Sequence, residues 1–154
     1  MTTVLTSKQK NEQAVFARFA CSMNMEEVWL SVNSRPPPEP DLLCVHASYG
    51  AIAFELVSLT DPNIAEVQAA GEKARQDAFA TSDPSQRIIR NKLKKKYTTT
   101  AKNIELLIYT NGQIITPDDS IIPTIVPWLD AVTHQFSYVW FMGEHTTGCV
   151  WSAS

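Results

Sequence analysis

The sequence predicts an α/β fold: a single three-layer domain over residues 1–154, with a central mixed sheet flanked by helices. Three observations carry that prediction. Pro40 to Leu59 holds two apolar runs around a short break at Ser48-Tyr49-Gly50, the pattern of a β-hairpin. Both faces of that hairpin are apolar, as expected of strands covered on two sides. The order helix, hairpin, helix, helix, strand, helix, strand is that of a layered α/β domain with a mixed sheet.

Thr6 or Ser7 caps a first helix to about Met23, with Val15, Phe16, Phe19, Ala20 and Met23 as its apolar stripe. Val28, Leu30 and Val32 then alternate against Trp29 and Ser31 as in a strand. The proline run at 36–38 predicts an extended polyproline connector into the hairpin. Thr60-Asp61-Pro62 is a helix start with proline at the favoured first position, and 63–80 reads as a second helix or a mobile arm rather than a loop. Ser82-Asp83-Pro84 starts a third, running from Ser85 to Tyr97 with Ile88, Ile89, Leu93 and Tyr97 inward. Ile104 to Thr110 is a strand, closed by the turn pair Asn111-Gly112. A last helix lies between about Ile121 and His134, delayed or kinked at Pro127. Ser137 to Met142 is a strand, and Cys149-Val150-Trp151 pairs back on it as a small edge hairpin.

The chain has 154 residues, enough to bury a core without staples, and a formal net charge of −3. That charge does not advertise nucleic-acid binding, although a local basic stripe can act inside an acidic chain. Cys21, Cys44 and Cys149 have no metal-ligand spacing and read as buried thiols in a reducing compartment. The N-terminus lacks a basic region followed by an apolar core, and no apolar run is long enough to span a bilayer. A soluble cytoplasmic protein without a membrane partner is the expectation. His46, His134 and His145 lack partners at metal spacing and read as structural or surface residues. Trp128, Trp140 and Trp151 read as packing residues.

The hairpin carries the chemistry. With a loop at 48–50 and Gly50 in the left-handed position, Leu43 faces Glu55 and Asp41 faces Val57. Asp41 and Glu55 then become diagonal neighbours on one apolar face, roughly 7–8 Å apart at the backbone. Two carboxylates on such a face are costly unless something neutralises them. A divalent cation would do so, because Mg²⁺ is typically held by one or two carboxylates together with water and phosphate.

Pro40-Asp41 at the start of one strand and Glu55-x-x within the next resemble the motif of the PD-(D/E)XK nuclease superfamily, the restriction-endonuclease-like fold. The run Lys92-Leu93-x-Lys95-Lys96-Tyr97, then Leu106-Leu107-Ile108-Tyr109 and Val139-Trp140-Phe141, is similar to that family as well. The resemblance implies Mg²⁺- or Mn²⁺-dependent phosphodiester hydrolysis in nucleic acid, DNA or RNA. Asp41, Glu55 and the carbonyl of Leu56 would hold the cation, and Glu12 of the first helix would complete the site. One position departs from the motif: its lysine is here Val57. The resemblance allows a lysine on an adjoining helix, and Lys92, at the border of the buried stripe, is the first choice for this catalytic role. Lys96 is the second. Arg87, Arg90, Lys94, Lys95 and Lys96 would contact phosphates. Val57 and the acidic net charge also fit an alternative, a catalytically inactive nuclease-like scaffold that binds nucleic acid or protein. A third reading is an interaction protein, or a homodimer, using the aromatic C-terminal hairpin.

Overall fold

A computed structural model of the protein describes residues 4–59, 84–110 and 118–153. Helix α1 (Ser7–Ser22) is followed by strands β1 (Trp29–Ser34), β2 (Leu42–His46) and β3 (Gly50–Leu59). Helix α2 (Pro84–Lys94), β4 (Asn103–Thr110), α3 (Asp118–Asp130), β5 (Phe136–Met142) and β6 (Thr147–Ser152) complete the described elements. The six strands form one mixed sheet in sequential order β1 to β6. The β3–β4 and β4–β5 pairs are parallel, and β1–β2, β2–β3 and β5–β6 are antiparallel.

The pleat sorts the core into two clusters. Ala53, Val57, Leu106, Ile108, Val139 and Phe141 face Ile89 and Leu93 of α2 and Ile125 and Leu129 of α3. Leu42, Cys44, Phe54, Leu56 and Leu107 face Val15, Phe16 and Phe19 of α1. The α/β layering with helices on both faces is therefore as expected. Thr6 caps α1 with a reciprocal capping box to Gln9, and Val15, Phe16, Phe19 and Ala20 form its buried stripe.

Several local expectations are corrected. The hairpin loop is Ala47-Ser48-Tyr49, because His46 pairs with Gly50 and Leu42 with Phe54. Gly50 does take the left-handed backbone, at φ +75°. The register differs by two residues from the expected one, so each side chain keeps its face while its partner changes. In β1 an irregularity between Trp29 and Ser31 breaks the alternation. Trp29 and Val32 both pack on the α1 side, and Leu30 is exposed. The proline segment is a turn rather than an extended polyproline connector: the Pro37–Pro38 peptide is cis and the Glu39 N–H donates to the Pro36 carbonyl at 3.0 Å. Helix α2 ends at Lys94, and Tyr97 is buried from the segment that follows it. Helix α3 begins at Asp118 and contains both Pro123 and Pro127. Of the cysteines only Cys44 is buried; Cys21 and Cys149 are exposed. The expected helix over 63–80, the Ser82-Asp83 cap and the Asn111-Gly112 turn lie outside the described residues. Among the described residues no helix is long and apolar enough to cross a membrane.

Candidate functional site

Backbone pairing between β2 and β3 ends at Leu42 and Phe54, because Pro40 has no N–H to continue the ladder. Side chains carry it one step further. The Asp41 N–H donates to Glu55 Oε1 at 3.0 Å, and the Leu56 N–H donates to Asp41 Oδ2 at 2.9 Å. These reciprocal bonds bring Asp41 and Glu55 together at the end of the β2–β3 ladder. Leu56 enters through its N–H.

Glu55 is 1 % exposed and points to the α2 side of the sheet. Its Oε2 accepts from Lys92 Nζ at 2.7 Å and from the Tyr97 hydroxyl at 3.1 Å. Burial, with the neighbouring Asp41 charge, pushes the Glu55 carboxyl above its ordinary range, and Lys92 opposes that shift. Tyr97 is a contact that sequence reasoning assigned only to packing; burial and the Glu55 charge push its phenol well up. Its position in the Lys92 to Tyr97 run was the available signal.

Glu12 is buried, not the exposed helix residue its polarity suggests. It lies within hydrogen-bonding reach of Asp41, while Lys8 Nζ stands 3.9 Å from its Oε2. Burial first, then Asp41, raises its carboxyl from 4.5 to about 7. Burial raises the phenol of Tyr109, at the end of β4, and the nearby charges of Glu12 and Asp41 add to the shift. Tyr109 was read only as part of a strand, and no periodic signal marks it.

The fold thus gathers Glu12, Asp41, Glu55 and Lys92 from α1, the start of β2, β3 and α2. Val57, at the motif lysine position, is buried in the core on the α2 side. Among the described residues, the other cations of the basic run make no ion pair with these carboxylates. Arg87, Lys94, Lys95 and Lys96 are exposed, Arg90 is half-buried, and Lys95 Nζ lies 5.3 Å from the centre of the Tyr97 ring. His46 ends β2 and braces the hairpin turn, its Nδ1 accepting from the Ser48 and Tyr49 N–H groups at 3.0 and 3.2 Å. Oxygen donors of the Asp41 kind suit a hard divalent cation. Glu55, however, has both oxygens engaged by protein donors, and among the described residues no three His, Cys, Asp or Glu side chains form a group poised to hold a metal ion. Compared with protein-family models, curated proteins and solved structures, the chain matches none.

Proposed function

We propose that the protein is a divalent-cation-dependent nuclease of the PD-(D/E)XK type, with Lys92 standing in for the lysine that Val57 replaces. One observation carries the reading: three acids and one lysine, from four separate elements, meet at the Asp41 end of the β2–β3 ladder. Asp41 and Glu12 are the side chains that would hold Mg²⁺ or Mn²⁺, with Glu55 joining if it is released from Lys92. The cation supplies polarisation of a phosphoryl oxygen and a lowered pKa for the attacking water. Lys92 has three donors, so it can hold Glu55 and still offer an N–H to a developing phosphoryl charge. Arg87, Arg90, Lys94, Lys95 and Lys96 would steer the phosphate backbone, DNA or RNA, toward α2.

The test is cleavage of single- and double-stranded DNA and RNA with Mg²⁺ or Mn²⁺. Asp41→Ala should abolish it, and Lys92→Met should lower the rate by roughly 10²–10³-fold. Should wild type cut none of the four substrates, the inactive scaffold becomes the better reading. That alternative is favoured by the saturation of Glu55: its Oε1 takes the Asp41 N–H and its Oε2 takes Lys92 and Tyr97. Lys92 would then be a counter-ion within a packed interior.

A further inference from the structure

On the opposite face of the sheet, beyond the C-terminal end of α1, lies a cavity of about 440 Å³. This is within the size range of small-molecule sites. One wall is the ring series Trp29, His46 and Tyr49, with centroids 5.0 and 4.6 Å apart along the series. The other wall is Tyr138 and Trp140 of β5. Between them, on β4, stands Glu105, which is 5 % exposed. A register irregularity between Ile104 and Glu105 sets Tyr138, rather than Ser137, across from this acid. Such irregularities re-aim side chains.

The polar groups of this cavity are incompletely matched. Glu105 Oε1 accepts from Trp140 Nε1 at 2.7 Å. Among the described residues no cation pairs with Glu105, and nothing donates to its Oε2. Burial holds its carboxyl above the usual range, opposed by the Trp140 bond. The Trp29 indole N–H, in the facing wall, is buried without a partner among the described residues. A buried carboxylate without a counter-ion is costly, whereas aromatic faces attract a cation placed against them.

We propose that this cleft binds a small organic cation, an alkylammonium carried on an apolar or aromatic body. The ammonium would donate to Glu105 Oε2, and the body would lie between the Tyr49 and Tyr138 walls. Glu105 and Lys92 lie on opposite faces of the sheet, so this site does not rest on the nuclease reading.

Calorimetric titration at about pH 8 tests it with two probes of equal shape, phenethylammonium and neutral 2-phenylethanol. Wild type should bind the ammonium about tenfold or more tightly than the alcohol, as expected of a charge-assisted hydrogen bond. Glu105→Gln retains an oxygen for Trp140 and should erase the difference. Tyr138→Ala, at the half-exposed rim, should weaken ammonium binding several-fold through loss of the ring face. It carries the test if Glu105→Gln does not fold. Equal affinity for the two probes in wild type overturns the proposal, as does no binding at millimolar concentration. It is also overturned if folded Glu105→Gln keeps the discrimination, or if Tyr138→Ala leaves ammonium binding unchanged.

Discussion

Glu12 shows how a single residue couples helix packing to protonation. It precedes Val15, Phe16 and Phe19 by three, four and seven positions, so it stands on the same stripe that buries α1 against the sheet. That spacing was legible in the sequence. Its partner Asp41, which lies beyond β1 and a proline turn, followed only from the family resemblance and from no spacing. The consequence is a pH dependence. With its carboxyl raised from 4.5 to about 7, the folded protein binds more protons than the unfolded chain across that window. Stability therefore falls as pH rises from 4.5 to 7, by on the order of 2–3 kcal/mol from this residue. Glu55 and Glu105 are also raised and change stability in the same direction, so the comparison must be between variants. Glu12→Gln keeps the shape and a donor for Asp41 but does not titrate. Urea midpoints of wild type and Glu12→Gln should coincide near pH 4.5 and separate toward pH 7.5, with the variant the more stable. Parallel profiles would show that Glu12 does not titrate in this window.

At the scale of elements, Asp118 joins the start of α3 to the β5–β6 turn. Its Oδ1 accepts the Glu144 N–H at 3.2 Å, and its Oδ2 accepts those of His145 and Thr146 at 2.8 Å each. Gly143 leaves room for this carboxylate, since a Cβ there would overlap Asp118. Asp118→Ala should cost about 1.5–3 kcal/mol in a denaturation curve, from three part-buried hydrogen bonds to one carboxylate lost together. Gly143→Ala should also destabilise, and the double variant should lose less than the sum because both act on one contact. Additive losses would mean that the two residues act separately. None of this was legible beforehand: the turn N–H groups are 26 to 28 residues from Asp118. The sequence did reveal the β5–β6 hairpin and the β4 strand, where period and composition agree. It mislocated α3 because proline costs about 3 kcal/mol inside a helix. Ile121, Ile125 and Leu129 recur every four residues and are all buried, each contributing about 1.5–3 kcal/mol, and that packing outweighs the local penalty.

Across the whole molecule, the parallel strands β3 and β4 are nearly continuous buried runs, as strands covered on both faces must be. That pattern made the layered fold readable from the sequence. Each run contains one acid, Glu55 or Glu105, and the pleat sends the two to opposite faces. Which acid finds a cation is decided by where α2 docks, and hydrophobic periodicity does not give that docking. Glu55 meets Lys92, and neither acid contributes to the other's pKa shift. The sheet should therefore insulate the two sites. Lys92→Met leaves Glu55 buried without its counter-ion and should destabilise by about 2–3 kcal/mol at neutral pH. The cost stays below that of a fully buried pair because the Lys92 side chain is 28 % exposed and Glu55 can take up a proton. Glu105→Gln removes a buried charge that lacks a described counter-ion, and should be neutral or stabilising. The double variant should equal the sum of the two within about 0.5 kcal/mol, as for sites sharing no partner. A coupling of about 1 kcal/mol or more would show that the two acids communicate across the paired backbones of β3 and β4.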